Sequence, residues 1–240
     1  MKILKNIDII TINCTNTQAG IMAIKHCQKY FEFGRAIMFT HDEFFDDTIE
    51  IIKIQKLNSV DEYNDFVLKL NEFIDNKFVL IIQDDGFIIN SNNWDDNFLN
   101  YDYIGAPWPS HEDVSWIELQ NLNLKKYMYE NLKYNRVGNG GFSLRSKKFL
   151  EFSSKYNSCN GIGEDAFLNI VNYTKALEYG IKYSPFELAL KFSYENPFIG
   201  NEKNIRDINL VNCDMEKHFG FHGYNFLNSN ELINLKFKNE

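Results

Sequence analysis

Two adjacent carboxylates, Asp84 and Asp85, follow four large apolar residues, Val79 to Ile82, and are separated from them by Gln83. Four consecutive apolar residues are typical of a strand buried on both faces, so the acids lie where that strand emerges. In α/β sheets, ligands bind outside the carboxyl ends of such strands. A divalent metal carrying a phosphate would neutralise the two anions. An ordinary turn is the alternative interpretation, since Asp-Gly is a common turn dipeptide and Gly86 follows.

Three further features each have a chemical interpretation and a plain structural one. Gly140 and Gly141 precede a strand, where they permit close approach to a ligand or simply form a tight turn. Glu164 and Asp165 begin a helix, where they are either site carboxylates or ordinary charges at the positive end of the helix dipole. His222 lies among glycine and phenylalanine near the end of the sequence. Such an imidazole is either a metal ligand or a packed side chain.

The elements that must position these residues follow an α/β pattern. We predict strands over 7–12, 36–39 and 49–54 and a central strand from Phe78, with helices over 17–33 and from a capping box at 59–62. This alternation is typical of a doubly wound, Rossmann-like sheet. The fold class expected is α/β, with a mostly parallel central sheet flanked by helices.

The second half of the chain is less regular. We predict a helical turn over 94–101, an edge strand over 103–109, a lid or small helical insertion over 110–133, a strand over 142–145, and helices over 146–156 and 161–179. One domain over 1–240 is expected, with a nucleotide-binding part over about 1–100 and a smaller acceptor-binding and catalytic part over about 101–240.

Composition narrows the class of protein. The 240 residues carry a net charge of −8 with the acids spread along the chain, so no stable nucleic-acid binding is expected. The four cysteines are far apart, which indicates reduced thiols rather than a zinc site or a disulfide framework. No run of 18 apolar residues and no secretory signal is present, so we expect a soluble, cytoplasmic protein without a transmembrane segment.

The order of these features resembles that of GT-A glycosyltransferases, which use nucleotide-sugar donors and are built on a Rossmann-like sheet. The resemblance extends over nearly the whole chain. More closely, four segments resemble a bacterial and viral family of predicted glycosyltransferases. They are Gln83-Asp84-Asp85-Gly86-Phe87, Asp102 to Trp108, Gly138 to Arg145, and Glu164-Asp165.

The resemblance implies a role for each site residue. Asp85 would be the metal-binding acid of the D-x-D motif, with Mn²⁺ or Mg²⁺ as cofactor, and His222 would complete the metal site. The sequence departs from the motif, because Gln83 stands where the first acid would be and Asp84 takes the middle position. Asp165 would be the catalytic base.

Several other residues receive roles, Glu164, the glycine loop, Thr11 and Asn13 from the resemblance and Trp108, Arg136 and Arg145 from their side-chain chemistry. Glu164 is a second candidate for the base, and the loop of Gly140 and Gly141 would lie against the donor sugar or the acceptor. Thr11 and Asn13 end the first strand, where the nucleobase of a donor would dock. Trp108 would either stack on an acceptor sugar or pack in the core. Arg136 and Arg145 would either pair with phosphate or form structural salt bridges.

The expected function is metal-dependent transfer of a sugar from a nucleotide-diphosphate donor, with a UDP-linked donor expected, to a hydroxyl of a glycan or other acceptor. Asp165 as base would make the transfer inverting. Two alternatives stay open. A nucleotidyltransferase or metal phosphohydrolase also places acids after a strand, and in a non-catalytic nucleotide- or carbohydrate-binding module the acids would only form turns.

Overall fold

A computed structural model describes residues 1–108, 130–131, 134–195 and 217–223. The predicted lid or insertion over 110–133 falls almost entirely outside these residues. Within the part of the chain that is described, no helix is both long and apolar enough to cross a membrane. The three cysteines in it, Cys14, Cys27 and Cys159, are buried free thiols, as the sequence predicts.

The centre of the molecule is a six-stranded mixed sheet in the order β5-β4-β2-β6-β8-β7. The strands β2, β4, β5 and β6 are mutually parallel, whereas β8 is antiparallel to both β6 and β7. The bounds of the six strands are β2 Ile7–Ile12, β4 Ala36–Thr40, β5 Glu50–Lys53, β6 Phe78–Ile81, β7 Tyr103–Gly105 and β8 Ser143–Ser146. The predicted α/β class, the mostly parallel sheet and the edge position of 103–105 are therefore confirmed.

Two small parallel pairs lie outside this sheet. Strand β1 (Lys2–Leu4) pairs with β3 (Phe31–Phe33), and β9 (Ser193–Tyr194) pairs with β10 (Gly220–Phe221). Glu195 and His222 directly follow the two strands of the second pair. The pairing of β9 with β10 therefore fixes the positions of these two residues of the candidate site.

Helices connect the strands. They are α1 Thr17–Gln28, α2 Val60–Val67, α3 Lys147–Ser153, α4 Glu164–Ala166, α5 Tyr173–Glu178 and α6 Phe186–Phe192. A π-helical segment, Phe167–Val171, separates α4 from α5, and short 3₁₀ turns cover Leu70–Glu72, Ser91–Asn93 and Asp96–Asn100. The predicted capping box is present, since Ser59 Oγ accepts a hydrogen bond of 3.1 Å from the Glu62 amide.

The helix predicted over 17–33 is too long. It ends at Gln28, and Phe31–Phe33 forms a strand in which the two phenylalanines are buried and Glu32 is not. That period of two fits a strand, and pairing with Lys2–Leu4 overrides the helical spacing. Gly34 is therefore not a helix stop. A Cβ atom there would lie 2.2 Å from Asn76 Nδ2 and 2.7 Å from the Lys5 carbonyl oxygen.

Alternate residues of the central strands face opposite sides of the sheet. In β2, Ile7 and Ile9 belong to one buried cluster, whereas Ile10 and Ile12 belong to the other. The central apolar run behaves in the same way: Leu80 and Ile82 face the first cluster, and Val79 and Ile81 the second. Both faces are thus covered by helices and loops, which is why these strands read as continuous apolar runs.

Candidate active site

The two central acids occupy the tip of a tight turn at the end of β6. The Gln83 amide donates to the Gly86 carbonyl at 2.9 Å, and the Gly86 amide donates to the Gln83 carbonyl at 3.1 Å. Asp84 and Asp85 lie between them. The turn interpretation and the site interpretation are therefore compatible, because the turn itself lies beyond the carboxyl end of a buried parallel strand.

A cavity of about 570 Å³ opens at this edge of the sheet. Its lining brings together nine of the residues singled out from the sequence: Thr11, Asn13, Gln83, Asp84, Gly140, Gly141, Glu164, Asp165 and His222. The same lining includes Tyr63 and Asn64 from α2 and the residues just before that helix. Asp85 and Trp108 are not among the lining residues. Asp85 instead approaches His222, with 3.8 Å between its Oδ1 and Nε2 of the imidazole.

The carboxylates Glu164 and Asp165 are adjacent in sequence but have different surroundings. Glu164 is 5% exposed and forms a bidentate pair with Arg145, whose two terminal nitrogens donate at 3.0 and 2.7 Å. Such forked pairing occupies both carboxylate oxygens. The side chain of Glu164 is therefore committed to the scaffold, which leaves Asp165 as the better candidate for a base.

Arg145 is the anchor of this region. It is 1% exposed, its Nε donates to Ser143 Oγ at 3.0 Å, and its guanidinium carbon lies 5.3 Å from the centre of the Tyr103 ring. The Tyr103 hydroxyl in turn donates to the carbonyls of Gly138 and Asn139 at 2.7 and 2.9 Å. Of the two interpretations given for Arg145, the structure shows the salt bridge. Arg145 Nη2 also donates to the Gly140 carbonyl at 3.4 Å, which ties the salt bridge to the glycine loop.

Asp165 accepts two backbone hydrogen bonds, from Gly140 at 3.1 Å and from Ala166 at 2.7 Å. Burial, followed by repulsion from Glu164, raises the pKa of Asp165 to about 7. The two hydrogen bonds oppose this shift without cancelling it. A carboxyl group with a pKa near neutrality is suited to accept a proton from a substrate hydroxyl.

His222 is held from several sides. Its backbone amide donates to the Tyr194 carbonyl at 2.8 Å, Nδ1 lies 3.2 Å from Glu195 Oε1, and Nε2 lies 3.0 Å from Gln83 Oε1. Two opposing effects act on the pKa of His222. Burial alone would lower this pKa, but the hydrogen bond and charge of Glu195, with the charges of Asp85 and Asp165, outweigh burial and raise the pKa above its ordinary value.

The glycine loop packs against these side chains. A Cβ atom on Gly141 would lie 2.1 Å from His222 Nε2, and one on Gly140 would lie 2.2 Å from Glu164 Oε1. Backbone without a side chain is thus required here so that the loop can contact the imidazole and the carboxylate. Both glycines also line the cavity, so the approach of a ligand to this loop stays a prediction beside the observed contacts with the protein's own side chains.

Thr11 and Asn13 end β2 at the cavity wall. Thr11 is fully buried, and its Oγ1 has no hydrogen-bond partner among the described residues. Asn13 Oδ1 accepts hydrogen bonds from the Thr15 amide and hydroxyl and from the Asn16 amide, at 2.9, 3.0 and 2.7 Å. The Asn13 side chain therefore shapes its own loop.

Trp108 lies away from the cavity. It is 7% exposed, and a Cβ atom on Gly138 would lie 2.2 Å from its ring. Its carbonyl accepts a hydrogen bond from Arg136 Nε at 2.9 Å, and the Arg136 guanidinium lies 4.3 Å from the centre of the Phe186 ring. The structure thus places both side chains in packed positions.

Sequence reasoning missed two residues of the site. Tyr63, on α2, accepts a hydrogen bond from Gln83 Nε2 at 2.8 Å. Glu195 contacts both His222 and Asn139, the latter at 2.7 Å. Neither residue stands in a local motif. Tyr63 lies on the helix that begins at the capping box, which is the signal that could have located it. Glu195 has no such signal, because only the pairing of β9 with β10 brings it to the site.

Comparison with known proteins supports the fold. A structure of the galactosyltransferase LgtC in complex with donor and acceptor sugar analogues matches with a TM-score of 0.59 and 13% identity, over 96% of this chain and 95% of that one. An active-site mutant of LgtC matches with a TM-score of 0.55 and 15% identity, over 95% and 94%. The chain thus has the GT-A fold that the sequence predicted.

No curated protein matches it in sequence. A family model described as a protein of unknown function, DUF5672, matches residues 47–206, about two thirds of the chain, and the chain therefore belongs to that family.

Proposed function

We propose that this protein is a glycosyltransferase that moves a sugar from a UDP-linked donor to a hydroxyl of a glycan or related acceptor. One observation carries the proposal. The acidic turn after β6, His222 and an Asp165 of raised pKa meet at one cavity at the carboxyl edge of a GT-A sheet. LgtC, which shares this fold, is a galactosyltransferase crystallised with donor and acceptor sugar analogues.

Two side chains at the turn, Asp85 and His222, are the proposed ligands of a divalent cation; the part of the chain that is described contains no cluster of three or more histidine, cysteine or acidic side chains that could hold one. Asp85 Oδ1 lies 3.8 Å from His222 Nε2, close enough for both atoms to bind one ion after a small adjustment. With one carboxylate and one imidazole as protein ligands, the other coordination positions would be left to diphosphate oxygens and water, as is usual for Mg²⁺ in phosphate sites. The imidazole nitrogen favours Mn²⁺ over Mg²⁺. When bound, the ion would neutralise the negative charge that develops on the leaving diphosphate.

The other residues of the cavity receive roles that match their positions. Asp165 accepts the proton of the acceptor hydroxyl as that oxygen attacks the anomeric carbon from the face opposite the diphosphate, so the configuration inverts. We assign Asp84 and Gln83, at the turn, to contacts with the donor. We assign Thr11 and Asn13, at the end of β2, to the nucleobase of that donor.

The charge of the cavity supports a cation. Asp84, Asp165 and the Arg145-paired Glu164 are in its lining, whereas the described lining residues include neither lysine nor arginine. Negative groups of this kind repel a diphosphate, and a bound divalent ion reverses that repulsion. We therefore propose that nucleotide and metal bind together.

Calorimetric titration with UDP, with and without Mn²⁺, tests the proposal. We expect Mn²⁺ to strengthen UDP binding in the wild type and to have no such effect in Asp85→Ala, with the exposed Asp47→Ala as a matched control. Transfer or hydrolysis of UDP-glucose and UDP-galactose should require the metal. Full activity in EDTA would contradict the proposal.

The same assays separate the alternatives. A nucleotidyltransferase would consume nucleoside triphosphates instead of UDP-sugars. UDP binding that is indifferent to Mn²⁺ and to Asp85→Ala would indicate a non-catalytic binding module. The anomeric proton coupling of the product, measured by NMR, reports the stereochemistry, and retention would remove Asp165 from the role of base.

A further inference from the structure

Glu195 lies between two parts of the site. Its Oε1 accepts a hydrogen bond of 2.7 Å from Asn139 Nδ2 and lies 3.2 Å from Nδ1 of His222. The carboxylate is largely buried, with 15% of its side chain exposed. Burying a carboxylate lowers stability unless the group is hydrogen-bonded or paired, and the contacts with Asn139 and His222 offset that cost.

The fold fixes this arrangement through strand register. In the parallel pair of β9 and β10, Tyr194 is the partner of Phe221. Glu195 and His222 are therefore the next residues along each strand. The His222 amide continues the pairing by donating to the Tyr194 carbonyl at 2.8 Å, and the Gly223 amide donates to the Asp85 carbonyl at 2.9 Å. The backbone thus places His222 beside the acidic turn, while rotation of its ring is still to be fixed.

Asn139 is itself rigidly held. It is 5% exposed, its amide donates to the Ala106 carbonyl at 3.2 Å, and its Oδ1 accepts from the Gly141 amide at 3.1 Å. Gly141 in turn lies directly against the His222 ring. The side chains of Asn139, Glu195 and His222 therefore close a ring with the glycine loop.

We propose that Glu195 is a positioning residue that fixes the His222 ring with Nε2 toward Asp85 and couples it through Asn139 to the glycine loop. Because Nδ1 faces the carboxylate, Nε2 is directed at Gln83 and Asp85, at 3.0 and 3.8 Å. Carboxylates that orient a metal-binding histidine in this way change metal affinity about 10- to 100-fold when they are removed. This inference rests on the proposed function for the role of His222.

One readout needs neither metal nor activity. In the ¹⁵N-histidine spectrum of the apo protein, assigned with His222→Gln, the Nδ1–H of His222 should give a resolved cross-peak in the wild type. It should persist in Glu187→Ala, where an exposed glutamate of α6 is removed, and disappear in Glu195→Ala. Glu195→Gln keeps an acceptor oxygen and should retain the cross-peak. Persistence in Glu195→Ala would overturn the proposal.

The second readout is Mn²⁺ affinity in the presence of UDP, measured by electron paramagnetic resonance. We expect Glu195→Ala to weaken it about 10- to 100-fold, Glu195→Gln to restore part of it, and Glu187→Ala to leave it unchanged. If Asp85→Ala weakens the affinity and Glu195→Ala does not, the positioning role is wrong and the metal site stands. If neither changes it, the proposed function fails as well. Should Glu195→Ala not fold, the isosteric Glu195→Gln decides through Mn²⁺ affinity: it should bind Mn²⁺ more weakly than Glu187→Gln, and equal affinities would overturn the proposal.

Discussion

Replacing Asp165 with asparagine should abolish transfer and, near neutral pH, increase stability. The carboxyl group lies in the cavity beside Glu164, and its pKa is raised from 3.8 to about 7. Ionising it in the folded protein is therefore unfavourable relative to the unfolded chain. A residue retained at such a cost is typical of a functional site rather than of the scaffold.

The sign and size of the effect follow from linkage. Because the folded pKa lies above the unfolded one, the folded state keeps the proton between pH 4 and 7 while the unfolded state releases it, and stability falls as pH rises. A shift of about three units at about 1.4 kcal/mol each sets an upper limit of about 4 kcal/mol. Partial exposure of Asp165 to solvent reduces this to about 2 kcal/mol. The loss is absent below about pH 4 and complete above pH 7.

Urea unfolding of the wild type, Asp165→Asn and the exposed Asp47→Asn from pH 4 to pH 8 measures this quantity. Asparagine retains only one acceptor for the Gly140 and Ala166 amides, which lowers stability by about 1 kcal/mol at every pH. That constant cancels when each variant is compared across pH. We expect the stability of Asp165→Asn relative to wild type to rise by about 2 kcal/mol over this range. Asp47→Asn should show no such rise.

A parallel pair of stability curves would refute the reasoning, because it would mean that Asp165 ionises as easily in the folded protein as in the unfolded chain. His222 titrates nearby, so the comparison is repeated in a His222→Gln background to remove its coupling to Asp165. In the wild type, kcat/KM should rise with pH to a plateau above about 7, since a base acts only after losing its proton.

Three further predictions concern the scaffold of the site. Glu164→Gln leaves the buried Arg145 guanidinium without its charged partner and should lower the free energy of unfolding by about 3–5 kcal/mol, measured by urea denaturation. Gly141→Ala places a methyl group 2.1 Å from His222 Nε2 and should displace the ring, so Mn²⁺-dependent UDP binding should be lost in calorimetry while circular dichroism stays unchanged. Ser59→Ala removes the N-cap of the helix that borders the cavity and should lower the free energy of unfolding, measured in urea, by about 1 kcal/mol. Its loss of UDP affinity should be smaller than that of Gly141→Ala.

The sheet could be predicted from the sequence because its central strands are buried on both faces. A continuous apolar run such as Val79 to Ile82 is a local signal, and it leaves little choice about where the strand ends. Strand β3 could not be predicted in this way. Phe31 and Phe33 fit a helical face as well as a strand face, and the decision depends on pairing with Lys2–Leu4, nearly thirty residues away.

The positions of the site residues could be predicted, but their partners could not. Carboxyl ends of parallel strands meet at one edge, so the residues after β2 and β6 were expected together. Arg145 decides which of the two carboxylates, Glu164 or Asp165, is paired. The Arg145 side chain faces Glu164 only because β8 is antiparallel to β6 in the register that aligns Arg145 with Val79. That register is a tertiary property with no local signature.

In each acidic doublet, the backbone directs the two carboxylates to different partners. At the helix start, consecutive side chains diverge by about 100°. Glu164 therefore pairs with Arg145, whereas Asp165 accepts hydrogen bonds from the Gly140 and Ala166 amides. At the turn after β6, Asp84 lines the cavity and Asp85 approaches His222. In the function that we propose, each doublet supplies one reacting residue: Asp165 accepts a proton, and Asp85 binds a cation together with His222.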